Sequence, residues 1–200
     1  MSKLKELTWE NHKKAERKQF AKLLMSGEIK PLLYATFLYN QYHCYKALEE
    51  NIILPRDLDP IYRAQKILDD CWEIVVKSRL LGYKIPILET TKDYVDHVKN
   101  LDQPGLMSHL YVGHFGDMYG GSMIAKRVPG EGRMYQFKNK EHLISRVRSK
   151  LNDDMAPEAN VCFEYATKMF EEIVNYDFRQ DNRVRTKNHR KVRQFRRRTV

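Results

Sequence analysis

Apolar residues recur every three or four positions along most of the chain, which is the period of an amphipathic α-helix. The clearest run lies between Pro31 and Glu50 and is rich in tyrosine, phenylalanine and leucine. Weaker runs of the same period predict further helices over residues 5–25, 59–75, 92–98, 104–127, 137–154 and 157–176. No segment shows a convincing apolar and polar alternation of the kind that predicts strands. The pattern therefore predicts an all-α, single-domain bundle of about seven helices.

The composition is consistent with a globular protein in a reducing compartment. The chain has 200 residues, 42% of them hydrophobic, which is enough to form a full core. Cys44, Cys71 and Cys162 are widely spaced in apolar surroundings, as is typical of buried thiols rather than of disulfides or zinc ligands. The sequence contains neither a signal-peptide pattern nor a run of about 18 apolar residues. We therefore expect a soluble cytoplasmic protein.

The net charge of +10 comes almost entirely from the C-terminal end of the chain. Residues 179–200 contain ten Lys and Arg residues and a single Asp, whereas residues 1–178 contain 26 basic and 25 acidic residues. The sequence thus predicts one domain over residues 1–178, followed by a basic, flexible tail over residues 179–200. One alternative is a helical nucleic-acid-binding protein that uses this tail, but the nearly neutral body and the lack of a known binding module disfavour it.

The segment from His109 to Lys126 predicts a helix that is interrupted by glycines and carries one acid, Asp117. Gly116 and Gly120 are four residues apart and share a face, so one stripe of the helix lacks side chains. Each interior glycine costs about 0.5–1 kcal/mol relative to alanine, an expense that close approach of a ligand would explain. Tight packing of two helices is the competing interpretation of this spacing.

His12 is the second candidate, because Glu16 lies one helical turn later on the same face. Taken alone, a histidine in a charged helix is usually solvated. A flat metal macrocycle, however, needs an axial nitrogen on one side and small residues or open space on the other. His12 and the glycine stripe could supply these two features, which suggests haem.

Four motifs give the chain a resemblance to the haem oxygenases. Thr8-x-x-x-His12-x-x-Ala15-Glu16 is similar to the proximal-helix pattern of that family, and Gly116-Asp117-x-x-Gly120-Gly121 is similar to its distal-helix signature. Residues 42–50 and 168–172 resemble the second and last helices of the family. The matches are collinear over about residues 5–175, so the resemblance implies a helical bundle with haem sandwiched between an N-terminal proximal helix and a glycine-kinked distal helix.

The resemblance also implies the roles of the distal residues. Asp117 is the distal acid, which in the family holds water near bound oxygen, and Tyr111 matches a tyrosine of the same water network. Gly116 and Gly120 would let the backbone approach the distal face of haem. Gly121 would permit a kink that flexes as substrate enters and product leaves.

On the proximal side, the resemblance implies that His12 is the axial ligand of the metal and that Glu16 is the neighbour that interacts with it. Haem propionates need cations at the mouth of the pocket. Lys5 and Arg148 occupy the positions at which the family places such cations.

The chain departs from the family pattern at several positions. Val112-Gly113-His114 stands where the family commonly has Thr-Arg-Tyr, and Tyr119 replaces the usual serine before the paired glycines. Trp9 replaces another basic residue near the propionates. The outer hydrogen-bond network must therefore differ, and His114 is interpreted as a packing or hydrogen-bonding substitute rather than as a second iron ligand.

The activity implied by the resemblance is oxidative cleavage of haem (heme b), which is both cofactor and substrate, to biliverdin, carbon monoxide and ferrous iron. The IXα isomer of biliverdin is the default. The reaction uses O2 and external electrons from ferredoxin or another reductase, because the chain has no flavin or nicotinamide fingerprint. Lys13, Lys14, Arg17 and Lys18 could dock an acidic ferredoxin, and a bilin reductase could act downstream. A thiaminase-like or quinone-cofactor-forming enzyme of the same fold is the haem-free alternative.

Overall fold

A computed structural model of the chain describes residues 2–176. The predicted domain boundary at residue 178 and the predicted basic tail lie outside these residues. The described residues contain no strand and form nine α-helices: α1 (Leu4–Leu7), α2 (Trp9–Glu16), α3 (Gln19–Ser26), α4 (Pro31–Asn51), α5 (Ala64–Lys77), α6 (Glu89–Lys99), α7 (Gln103–Ala125), α8 (Lys140–Arg148) and α9 (156–176). Three short 3-10 helices accompany them, Arg56–Ile61, Arg133–Tyr135 and Asp153–Met155. The predicted all-α class is confirmed.

The prediction of one first helix over residues 5–25 is wrong, because three helices occupy this segment. At the first break, the Thr8 hydroxyl donates to the Leu4 carbonyl at 2.8 Å, a local hydrogen bond that competes with regular helix geometry. At the second break, Lys18 adopts an extended conformation with ψ of 148°. The charged segment between these breaks, α2, has few apolar residues that pack against the core. Tertiary packing therefore does little to keep the three helices continuous. Gly27, with φ of +78°, ends α3 as predicted.

Two other predicted helices are shorter than their patterns indicate. Pro60 lies within the 3-10 helix Arg56–Ile61, and the α-helix that follows begins only at Ala64. The predicted helix over residues 137–154 is reduced to α8, which begins only after Asn139, a residue in a left-handed conformation with φ of +53°, and ends at Arg148. In both places, local backbone chemistry delays the start of a helix that apolar spacing alone would begin earlier.

Helix α4 forms the centre of the bundle and packs against α5, α6 and α7. Its buried side chains lie on several faces: Leu33, Tyr34, Ala35, Thr36, Phe37, Leu38, Asn40, Cys44, Tyr45, Ala47 and Leu48. Near the C-terminal end of α4, Tyr45 is among the buried side chains, and its hydroxyl group meets Asp117 of α7. This placement brings Tyr45 to the glycine-bearing helix α7.

Helix α7 begins with a capping residue and runs without interruption past all the glycines of the distal motif. The Asp102 carboxylate accepts a hydrogen bond from the Gly105 amide at 2.9 Å, and Pro104 lies in the first turn, where proline is tolerated. The helix continues through Gly116, Gly120 and Gly121 to Ala125. The tertiary contacts of α7 therefore outweigh the weak helix propensity of its glycines.

Two expectations drawn from composition can be compared with the structure. Cys44, Cys71 and Cys162 are all buried and carry no disulfide, as predicted. Among the helices within residues 2–176, none combines the length and the hydropathy needed to span a lipid bilayer.

Candidate functional site

The glycine stripe of α7 faces open space. A Cβ atom built at Gly116 or at Gly120 would have no described atom of the rest of the fold within 4 Å. Within the described residues, Gly116 and Gly120 therefore do not mediate close packing of α7 against another helix. A flat ligand could approach the backbone along this stripe.

Gly121 lies next to the stripe but has a different environment. A Cβ atom at this position would lie 2.5 Å from Cδ1 of Tyr135, which belongs to the 3-10 helix Arg133–Tyr135. The absence of a side chain at Gly121 thus makes room for the Tyr135 ring. The role predicted from the resemblance, a flexible kink, stays a prediction.

We expect Gly121→Ala to lower the free energy of unfolding by about 1–3 kcal/mol, because the new methyl group overlaps the buried Tyr135 ring. Gly116→Ala is the matched control, since the same methyl group meets no neighbour there and gains up to about 1 kcal/mol of helix propensity. Urea unfolding of the haem-free protein measures both. Equal stability of the two variants would contradict the steric explanation.

Asp117 is held by a side chain that the sequence analysis did not assign to the site. Its carboxylate accepts a hydrogen bond from the Tyr45 hydroxyl at 2.5 Å, which joins α7 to α4. Burial raises the pKa of Asp117 to about 7, and the Tyr45 hydrogen bond and the positive charge of Arg63 act in the opposite direction. Tyr45 lies in residues 42–50, which resemble the second helix of the family. This resemblance is the feature of the sequence that could have pointed to Tyr45.

Gly113 allows Tyr45 to reach Asp117. A Cβ atom at Gly113 would lie 3.0 Å from the Tyr45 hydroxyl oxygen, a tight contact that would require this hydroxyl to shift by a few tenths of an ångström. Gly113, one of the positions that differ from the family pattern, thus leaves room for the hydrogen bond between Tyr45 and Asp117.

Arg63 places a buried positive charge near the same carboxylate. Only 1% of the residue is exposed, and its guanidinium donates to the backbone carbonyls of Ile61, Pro60 and Gln136 while lying 4.0 Å from the centroid of the Phe137 ring. Burial lowers the pKa of Arg63, whereas the charge of Asp117 helps to keep it protonated. The sequence offered no periodic signal for this residue, which lies just before α5.

His114 is completely buried, and neither ring nitrogen has a hydrogen-bond partner among the described residues. Its ring packs against Tyr45, with 4.9 Å between the centroids, and its Nε2 atom lies 3.9 Å from a Glu49 oxygen. Of the two roles expected for His114, the structure thus provides packing and no direct hydrogen bond.

His12 lies on α2 between two aromatic rings. Trp9 stacks on it with 5.3 Å between the centroids, and Phe163 of α9 meets it edge-on at 5.6 Å. Its Nδ1 atom lies 3.6 Å from a Glu16 oxygen and has no hydrogen-bond partner among the described residues. The predicted proximity of His12 and Glu16 is therefore present, at a separation that exceeds a direct hydrogen bond.

Tyr111 of the distal helix lies near the segment that precedes His12. Its side chain is close to that of Thr8, and its ring meets Phe115 edge-on at 5.2 Å. Burial raises the pKa of Tyr111, and the nearby Thr8 side chain opposes this effect. The two motifs of the resemblance are thus neighbours at Thr8 and Tyr111, and the role of Tyr111 in a water network stays a prediction.

The two cations predicted to bind propionates contact the residues at which this chain departs from the family pattern. Arg148 donates a hydrogen bond to the Tyr119 hydroxyl at 2.6 Å, and Lys5 lies 5.9 Å from the centroid of the Trp9 ring. Tyr119 and Trp9 are 49% and 42% exposed. The hydrogen bond to Tyr119 uses one of the five N–H groups of Arg148.

The sequence and the fold of the chain are similar to those of known proteins. The heme oxygenase family model matches residues 1–172. Heme oxygenase 2 of Rattus norvegicus is 29% identical over 210 residues, which cover 85% of this chain and 64% of that protein, so the chain spans slightly less than two thirds of its length. Heme oxygenase of Guillardia theta is 27% identical over 208 residues, covering 85% of this chain and 84% of that protein.

Among solved structures, heme oxygenase-1 from the cyanobacterium Synechocystis in complex with heme has the same fold. Its TM-score is 0.73 at 20% identity, and the match covers 92% of this chain and 96% of that one. The family model covers far more than half of the sequence, and the glycine stripe, Asp117 and His12 lie within the matched residues. The chain therefore belongs to the heme oxygenase family.

Proposed function

We propose that this protein is a haem oxygenase, which cleaves haem to biliverdin IXα, carbon monoxide and ferrous iron with O2 and external electrons. The observation that carries the proposal is the open glycine stripe of α7, with Asp117 beside it and Thr8, at the start of the His12 motif, close to Tyr111 of the same helix. Family membership and the heme in the complex from Synechocystis support the choice of ligand. The same observations favour this function over a haem-free enzyme of the same fold.

The residues at the site are compatible with haem. No Cβ atom occupies the space in front of Gly116 and Gly120, and the buried Nδ1 atom of His12 lacks a direct partner but lies near Glu16. His12 would bind the haem iron, with Glu16 acting on the imidazole directly or through water. Arg148 and Lys5 would bind the propionates. When bound, the haem iron supplies the activation of O2, which no side chain of this site could provide.

Asp117 would be the proton-handling residue of the site. With its pKa raised to about 7 by burial, the carboxyl group can both hold and release a proton near neutral pH. The Tyr45 hydroxyl fixes the orientation of the carboxyl group, and the charge of Arg63 keeps its pKa from rising further. Tyr111 and an ordered water would extend this arrangement toward the ligand.

The external electrons would come from ferredoxin or another reductase. Lys14, Arg17 and Lys18, together with Glu10 and Asn11, line a surface depression of about 380 Å³ along α2, the helix that bears His12, and the residues just after it. Lys18 is also paired with Glu171, so Lys14 and Arg17 are the cations of this surface without such a contact to Glu171. A basic surface so close to the proximal ligand is suited to an acidic electron carrier. We also propose a cytoplasmic location, consistent with three free cysteines, and transfer of biliverdin to a bilin reductase.

An optical titration with hemin, followed by ferredoxin, its reductase and NADPH, tests the function. We expect a Soret band at stoichiometric hemin and its replacement by biliverdin absorption once electrons and O2 are supplied. The isomer is identified by chromatography against biliverdin standards. A protein that leaves the hemin spectrum unchanged would contradict the proposal.

A further inference from the structure

Three titratable side chains meet on the part of α7 that faces α6 and α9. His97 of α6, His109 of α7 and Glu158 of α9 each offer a ligand atom, and these atoms all lie within 4.8 Å of one another. Nε2 of His97 lies 2.6 Å from Oε1 of Glu158, and Nε2 of His109 lies 2.8 Å from the same oxygen. None of these three residues belongs to the candidate haem site.

We propose that His97, His109 and Glu158 bind one first-row divalent transition-metal ion of the Zn²⁺ type. Two imidazole nitrogens and one carboxylate oxygen are the ligands of many Zn²⁺ and non-haem metal sites, whereas Ca²⁺ and Mg²⁺ prefer oxygen ligands alone. The proposal is independent of haem and of the proposed function.

Tyr94 lies beside the second ring nitrogen of His109. The Nδ1 atom lies 3.1 Å from the Tyr94 hydroxyl, whose oxygen can accept the Nδ1 hydrogen when a metal replaces the hydrogen bond between Nε2 and Glu158. Such an outer hydrogen bond accompanies nearly every metal-binding histidine. The Tyr94 side chain is buried and therefore holds the imidazole in place.

The site is accessible from solvent on one side. His97 lines a surface depression of about 470 Å³ together with Asp93, Asp96, Asn100 and Leu101. The two aspartates give its wall a negative charge that attracts cations. Water entering from this depression could complete the coordination of a metal, as it does in sites with three protein ligands.

Without a metal, the same atoms form a hydrogen-bonded triad, so the experiment has to separate the two states. Calorimetric titration of the full-length, haem-free protein with Zn²⁺ is expected to give one saturable equivalent. Glu158→Gln keeps the shape of the side chain and an acceptor oxygen but removes the charge, and His97→Gln removes one imidazole. We expect each variant to weaken Zn²⁺ binding by at least about tenfold.

His142→Ala is the matched control, since His142 is an exposed histidine that lies 3.6 Å from Asp57 and could bind Zn²⁺ adventitiously. It should bind Zn²⁺ as the wild type does, and circular dichroism shows whether each variant is folded. Absence of saturable binding to the wild type would overturn the proposal. So would unchanged affinity in folded Glu158→Gln, which would place the ion elsewhere. If His97→Gln fails to fold, the nearly isosteric Glu158→Gln still decides the outcome.

Discussion

Replacing Asp117 with asparagine is expected to leave hemin binding intact and to slow biliverdin formation by about 10²–10⁴-fold, the usual contribution of a positioned acid or base. The amide has the same shape and can still accept the hydrogen bond from Tyr45, but it cannot exchange a proton. We expect Asp117→Ala to bind hemin as well and to divert oxidation toward peroxidase-like products.

Single-turnover spectra of the hemin complex with a supplied reductase measure this effect. Tyr45→Phe is the comparison, because it removes the hydroxyl group that orients Asp117 and keeps the carboxyl group. We expect its rate to lie between those of the wild type and Asp117→Asn. If Asp117→Asn formed biliverdin at the wild-type rate, Asp117 would have no part in proton handling.

The pH dependence of the free energy of unfolding provides a second, independent comparison of Asp117→Asn with the wild type. Burial raises the pKa of Asp117 from 3.8 to about 7, so the folded protein retains a proton that the unfolded chain releases between these values. Protonated Asp117 therefore makes its full contribution to the free energy of unfolding below pH 3.8. This contribution is lost as the pH rises from 3.8 through about 7, and it amounts to about 1.4 kcal/mol per unit of pKa difference between the folded and unfolded states. Relative to wild type, haem-free Asp117→Asn should gain stability between about pH 4 and pH 7 and show no further relative change above that range.

His12→Ala is expected to abolish normal axial coordination of haem and to reduce biliverdin formation by at least about 100-fold, since it removes the only imidazole of the proximal motif. Truncation also leaves a space between Trp9 and Phe163, the rings that contact His12 on two sides. We therefore expect added imidazole to restore part of the coordination and of the activity.

The Soret and visible bands of the ferric complex measure this coordination. Glu16→Gln is the matched control, because Glu16 lies 3.6 Å from Nδ1 of His12 and, in the proposed site, would act on His12 without replacing it. Its spectrum should keep the signature of a histidine ligand. A His12→Ala complex with a wild-type spectrum would mean that another residue binds the iron.

Much of the helical architecture could be predicted from the sequence because apolar spacing reports which face of a helix is buried. The runs that became α4, α7 and α9 are long and strongly apolar, so their predicted bounds lie close to the observed ones. The N-terminal segment was predicted as one helix and forms three, because its charged middle carries little packing information. Where few side chains are buried, local hydrogen bonds such as that of Thr8 determine the backbone.

The candidate site was only partly predictable. His12, Glu16 and Asp117 lie in short motifs that can be recognised from the sequence alone. The other residues at the site, Arg63, Tyr45 and Tyr135, come from other segments of the chain. Their importance depends on long-range contacts: Tyr45 lies 72 residues from Asp117, and Tyr135 lies against Gly121. Nothing in the spacing within one helix encodes which residue of another helix will meet it.

By itself, the sequence determined the helical class, the family and the types of groups available at the site, because periodicity and short motifs are local properties. Only the tertiary structure decided that Gly116 and Gly120 face open space while Gly121 accommodates Tyr135. It also decided that the pKa of Asp117 rises to about 7, since desolvation and the nearby charge of Arg63 exist only once the helices have packed.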